Sequence, residues 1–180
     1  MAVILASASP RRKELLSFIT DEFSVLPSGV EEIVPEKLSV CKIPEYLAKL
    51  KALDIANKNP NDTVIGADTS VILGKTVLGK PKDREDARNM LLMLSGKTHK
   101  VITGCAVVKN GGCKSFSVVS KVKFQKLSIN EIEAYLDTSE PYDKAGSYAV
   151  QGRAGAFVEY IKGDYFNIVG LPIAKLKKYI

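Results

Sequence analysis

An unbroken apolar run, Val3-Ile4-Leu5-Ala6, gives way at once to Ser7-Ala8-Ser9-Pro10 and then to two arginines. A short run of this kind, bounded by turn residues, reads as a buried strand. Ser9 is a natural N-cap and Pro10 a natural first helical residue, so a helix is predicted from about Pro10 to Phe18. A buried strand that feeds directly into a helix points to layered packing in which helices cover a sheet. The same corner raises a chemical question. The first turn of a helix prefers acids, because the macrodipole places partial positive charge there, yet Arg11 and Arg12 occupy it. Either both guanidinium groups are solvated, or an anion at this corner offsets the arginines and the dipole together.

The rest of the chain extends the pattern. Phe23 to Leu26 is a candidate second strand, and the stretch from Pro27 to Ile43, with two prolines and a glycine, is irregular. A helix is predicted from about Pro44 to Lys58, with Leu47, Leu50 and Leu53 near one face. Residues 63–68, TVIGAD, read as a short central strand, followed by a hairpin over 70–79 that turns at Gly74-Lys75. A helix over 83–96 is capped by Asp83, ended by Gly96, and apolar at Ala87, Met90, Leu91 and Leu94. Residues 100–127 form a long hairpin turning near Asn110-Gly111. Ser128 and Glu131 make a capping box for a helix that ends near Leu136. The segment AFVEYIKGDYFNIVG reads as a further hairpin with its turn at Gly163-Asp164, and a last helix begins around Pro172. The fold class is therefore α/β, a mixed twisted sheet flanked by helices.

Composition narrows the chemistry. The chain has 180 residues, 46% apolar and 26% charged, with a net charge of +6. A basic balance favours an anionic partner, either nucleic acid or a phosphorylated small molecule. Cys41, Cys105 and Cys113 are odd in number and have no C-x-x-C spacing, which fits a reducing cytoplasm. No apolar stretch reaches the length of a membrane span, and no signal peptide is expected. His99 is the only histidine, so a His-rich metal site is ruled out. A catalytic metal would have oxygen ligands, pointing to Mg²⁺ or Mn²⁺.

Three phosphate-loop look-alikes fail on context. Residues 74–81, GKTVLGKP, end in Pro81 where a P-loop needs Ser or Thr, and their interior is strand-like. Residues 95–99 lack the upstream glycine. Residues 152–155, GRAG, lack the helices around a KH loop. Other stretches carry more. The Ser7–Arg12 corner offers free N–H groups, the hydroxyls of Ser7 and Ser9, and two guanidinium forks suited to phosphate. Asp68 ends an apolar strand at the edge where open α/β sheets bind ligands. Glu31-Glu32 is an acidic spot in a loop, a position where charges are usually just solvated. The loop EPYDKAGSYAVQG gathers Glu140, Asp143 and Lys144, and runs into Gln151. Cations (Arg11, Arg12, Lys51, Lys80), oxygen ligands (Glu32, Asp68) and groups able to read a base (Thr69, Gln151) together fit a metal-assisted reaction on a nucleotide phosphate.

Six of these stretches, SASPRRKELL, GADTSVIL, GKPKD, LSGKTHKVITG, EPYDKAGSYAVQG and GDYFNIVGLP, resemble the Maf family of nucleoside triphosphate pyrophosphatases in order and over residues 7–172. The resemblance implies a single domain over residues 1–180, similar to the inosine triphosphate pyrophosphatases, elongated and two-lobed with a central cleft. It implies hydrolysis of a nucleoside triphosphate to monophosphate and pyrophosphate with a divalent cation. Asp68 then matches the catalytic proton acceptor, and Glu32 and Lys80 match further active-site positions. Arg11, Thr69 and Gln151 match those that mark the branch acting on dTTP and UTP rather than on 7-methyl-GTP. On this reading Glu32 and Asp68 hold Mg²⁺ or Mn²⁺, while Ser7, Ser9, Arg11, Arg12, Lys51, Thr69 and Gln151 bind substrate. The expected partner is the nucleotide, with no specific nucleic acid and no membrane; a homodimer is left open. Two alternatives stay open as well: the same reaction on another nucleotide, or a nucleic-acid-binding regulator of cell division.

Overall fold

The computed structural model describes residues 2–180. Its centre is a mixed seven-stranded sheet. β1 (Val3–Leu5) pairs in parallel with β2 (Ser24–Val25) on one side and β3 (Thr63–Leu73) on the other. The order continues through β5 (Thr98–Lys109) and β6 (Gly112–Phe124) to β7 (Val158–Lys162), while β4 (Thr76–Leu78) pairs antiparallel with β3. Helices α1 (Pro10–Ser17), α2 (Ile43–Ala56), α3 (Arg84–Leu94), α4 (Ile129–Leu136), α5 (Tyr165–Val169) and α6 (Ile173–Leu176) complete the fold. The mixed α/β architecture is the one expected from the sequence.

Local signals explain many boundaries. The Ser9 hydroxyl accepts from the Arg12 N–H at the start of α1, and Asp83 accepts from the Asp86 N–H at the start of α3. Ser128 and Glu131 form the complete capping box of α4. In the β3–β4 turn only Gly74 has positive φ, as a II′ turn needs, whereas Asn110 and Gly111 are both positive, as in type I′.

Two expectations are corrected. The strand ending at Asp68 and the following hairpin arm are one continuous strand, β3, which carries Asp68 and Thr69 in its middle. The hairpin placed at Gly163-Asp164 is absent: β7 ends at Lys162 and Tyr165–Val169 is helical. Aromatic and β-branched residues favour a strand there, but tertiary contacts prevail. Asn167, Ile168 and Val169 are buried, and Asn167 is tied to Thr103.

The chain divides into two compact units. The first contains residues up to Thr69, Ile102–Val118 and Phe166–Ile180; the second contains Ser70–Val101 and Val119–Tyr165. In the first unit, Ile4, Ala6, Val64, Ala106 and Val108 pack with Ala48, Ala52, Ile55 and Ala56 of α2. The buried face of α2 is thus built largely of alanines; Leu47 is on it, but Leu50 and Leu53 are only partly buried. The reason lies in the strands beneath. A Cβ at Gly66 would overlap the Ala48 carbonyl, and one at Gly104 would overlap the backbone of Glu45. Small residues on both sides let α2 lie directly against β3 and β5, which fixes the height of Lys51 above Asp68.

In the second unit, Leu91 and Leu94 of α3, Ile132 and Leu136 of α4, Ile72 and Phe124 are fully buried. Arg84 and Arg88 of α3 grip Glu133 of α4 at 2.8 and 2.6 Å. His99, Phe124 and Tyr148 meet edge to face, and His99 Nε2 lies 2.7 Å from the Tyr148 hydroxyl.

Candidate active site

The first unit gathers two adjoining groups of polar side chains around the middle of β3. On α2, the ammonium of Lys51 donates to Asp68 Oδ1 at 2.8 Å and lies 2.9 Å from Glu32 Oε1. The Asp68 and Lys51 side chains are 15% and 14% exposed, while Glu32, in the irregular loop before α2, is 48% exposed. Burial pushes the Asp68 carboxyl above its ordinary range; Lys51 and Arg12 pull it back, and Glu32 adds to the rise. A carboxyl whose pKa is raised by burial is a stronger base than an ordinary carboxylate, which suits it to accepting a proton.

The second group surrounds Thr69. Arg12 donates from Nε to the Gly170 carbonyl at 3.0 Å, from one terminal nitrogen to the Ser7 hydroxyl at 3.1 Å, and from the other to the Thr69 hydroxyl at 3.0 Å. Three of its five N–H donors are therefore held by the protein, leaving two. Gly170 has φ of +132°, a backbone conformation that suits glycine, and its carbonyl is thereby turned toward Arg12. Beyond Thr69 the network runs to Thr103 at 2.9 Å and then to Asn167. Burial lowers the pKa of Arg12, with Asp68 opposing. Cys105 is pushed up to about 12 by burial, with Arg12 opposing, so it remains a thiol and offers no nucleophile.

The remaining sequence candidates fall as follows. Ser9 caps α1, and its N–H donates to the Ser7 hydroxyl at 3.3 Å. Arg11 is partly buried and makes no ion pair among the described residues. Lys80 and Gln151 belong to the second unit, and both are exposed. The loop carrying Gln151 is fastened by Glu140, whose carboxylate accepts from the N–H groups of Arg153 and Ala154 and from the Tyr135 hydroxyl. Lys144 binds Asp143 and the Glu140 carbonyl, so the charges in this loop hold its shape.

Sequence reasoning did not find Thr103, Asn167 or Gly170. The available signal was polarity in the wrong place: Thr103 interrupts the apolar run 101–108, and Asn167 sits among Phe166, Ile168 and Val169. Neither hint identifies Arg12 and Thr69 as neighbours, because those contacts are non-local.

The donor set suits a hard divalent cation. Glu32 and Asp68 each offer a second carboxylate oxygen with no hydrogen bond to a described protein group. Among the described residues no group of three or more His, Cys, Asp or Glu side chains gathers to hold a metal. Two carboxylates with phosphate oxygens and water completing the shell is a common way to bind Mg²⁺.

This α/β architecture is shared with a solved structure, the Staphylococcus aureus Ham1 protein, at a TM-score of 0.58 and 16% identity, covering 98% of this chain and 96% of that one. The family model for Maf-like protein matches residues 2–180, and the chain belongs to that family. It is similar to curated proteins named dTTP/UTP pyrophosphatase. One from Alkaliphilus oremlandii is 51% identical, over 97% of this chain and 92% of that protein. Others from Bacillus pumilus and Pyrococcus furiosus are each 48% identical, over 96% and 99% of this chain and 92% and 93% of theirs.

Proposed function

We propose that this chain hydrolyses dTTP and UTP to the nucleoside monophosphate and pyrophosphate. The observation that carries this reading is a largely buried carboxylate, Asp68, paired with Lys51 in a Maf-family chain closely similar to dTTP/UTP pyrophosphatases. Water attacks the α-phosphorus, its oxygen forms the new P–O bond, and the bond from the α-phosphorus to the bridging oxygen breaks. Pyrophosphate leaves with that electron pair. Asp68 takes the proton from the attacking water, while Lys51 keeps the carboxylate ionised between turnovers. Arg11 and the two remaining donors of Arg12 bind the phosphates, and Thr69 faces the base.

Mg²⁺ or Mn²⁺ held by Glu32 and Asp68 would supply charge neutralisation on the phosphate oxygens. The three cysteines are all free thiols, which suits a reaction in the cytoplasm. No helix among the described residues is long and apolar enough to cross a membrane.

The test is a substrate panel of dTTP, UTP, dCTP, purine triphosphates and 7-methyl-GTP with Mg²⁺ or Mn²⁺, with both products identified. Pyrophosphate should be the first inorganic product from dTTP and UTP, and EDTA should abolish its release. Orthophosphate with a nucleoside diphosphate would remove the α-phosphorus assignment. A preference for 7-methyl-GTP would remove the pyrimidine assignment.

A further inference from the structure

The hydroxyl of Thr69 lies in a chain of hydrogen bonds whose direction is fixed at both ends. At one end Arg12, which can only donate, gives a hydrogen to Thr69 Oγ1 at 3.0 Å. At the other end Thr103 Oγ1 donates to the backbone carbonyl of Asn167, which can only accept, at 2.8 Å. A threonine has one hydroxyl hydrogen, and that of Thr103 is thereby used. The 2.9 Å contact between the Thr69 and Thr103 hydroxyls must then take its hydrogen from Thr69. The far end has no freedom to change: Thr103 and Asn167 are both fully buried, and the Asn167 side chain is held in turn by the Thr103 N–H at 3.1 Å.

Thr69, which is only partly buried, is consequently left with one unused lone pair and no hydrogen to give. We propose that Thr103 is a specificity-determining positioning residue: by taking the Thr69 hydrogen it presents Thr69 to the base purely as an acceptor. An acceptor there pairs with the N3–H of uracil and thymine and meets the bare N3 lone pair of cytosine with repulsion. This rests on the reading that Thr69 faces the base.

Four proteins test it: wild type, Thr103→Val, Thr103→Ser and Thr69→Val, each assayed for kcat/KM with dTTP and dCTP. The valine at 103 frees the Thr69 hydrogen to point at the ligand, so the dTTP to dCTP ratio should fall roughly tenfold. The serine should keep the wild-type ratio, because its hydroxyl restores the chain. Loss of packing alone would slow both substrates alike and leave the ratio unchanged. A ratio altered by Thr69→Val but not by Thr103→Val overturns the role of Thr103. A ratio unmoved by either variant shows that Thr69 does not face the base, and the inference falls with that reading. Neutron diffraction from a perdeuterated wild-type crystal checks the same point without a variant. Deuterium bonded to Thr69 and directed at Thr103 is expected; deuterium bonded to Thr103 and directed at Thr69 overturns the proposal.

Discussion

Lys51 holds two carboxylates with one ammonium, so a change at any of the three is felt by the others. In the proposed mechanism Asp68 is the proton acceptor, so Asp68→Asn should lower kcat for dTTP and UTP by roughly 10²- to 10⁴-fold, the usual scale for a general base. The wild-type pH profile has a related signature. Burial raises the Asp68 pKa, so the acid limb of kcat/KM should lie above the ordinary carboxylate range, with activity lost as pH falls through it. Lys51→Gln deletes the cation that opposes this rise, so the limb should move further up in pH; a limb that stays fixed would separate Lys51 from Asp68. The two neighbouring arginines should also part company. Arg11 has no ion pair among the described residues, so Arg11→Ala should lower kcat/KM and leave Tm alone. Arg12 joins Ser7, Thr69 and Gly170, so Arg12→Ala should lower both. Equal thermal melts for the two variants would contradict that division.

At the scale of elements, the close seating of α2 on β3 and β5 does most to place the site. Gly66→Ala puts a methyl group against the Ala48 carbonyl and must lift α2, carrying Lys51 away from Asp68. Overpacking of this kind costs about 1–3 kcal/mol, and kcat should fall along with Tm. A variant with normal Tm and normal rate would mean that the helix does not set the pair. This seating also marks what the sequence could and could not disclose. Helices α3 and α4 were legible because Asp83, Gly96 and the Ser128–Glu131 box act within a few residues of the ends they define. The candidate site was legible as types of residue: Asp68, Glu32, Lys51 and Arg12 each stand out as polar groups beside regular elements. Their pairing was not. Asp68 resembled the end of a strand because its partner, Lys51, lies 17 residues earlier on another element. The helix at Tyr165–Val169 reads locally as a strand because its deciding partner, Thr103, lies 64 residues away. Local propensity has no access to contacts of that range.

For the whole molecule, the single histidine ties stability to acidity. His99 is 2% exposed in the core of the second unit, its Nδ1 has no hydrogen-bond partner, and burial lowers its pKa to about 4 from an ordinary 6.5. The unfolded chain therefore binds a proton, between those values, that the folded chain refuses. The contribution of His99 to stability is complete above pH 6.5 and is lost as pH falls toward 4, by about 3 kcal/mol in all. His99→Gln cannot charge, so urea midpoints measured from pH 7 to 4.5 should fall less steeply in the variant; parallel slopes would mean that the ring charges without unfolding. The wider organisation has a bearing on biosynthesis. The site-bearing unit draws its parts from both ends of the chain: Arg12 must wait for Gly170, 158 residues further on. At ribosomal speeds that interval is roughly 10–30 s. Until then the nascent polypeptide carries Arg12 without the Gly170 carbonyl and Thr103 without the Asn167 carbonyl, so the braces around Thr69 are completed only when synthesis is nearly done.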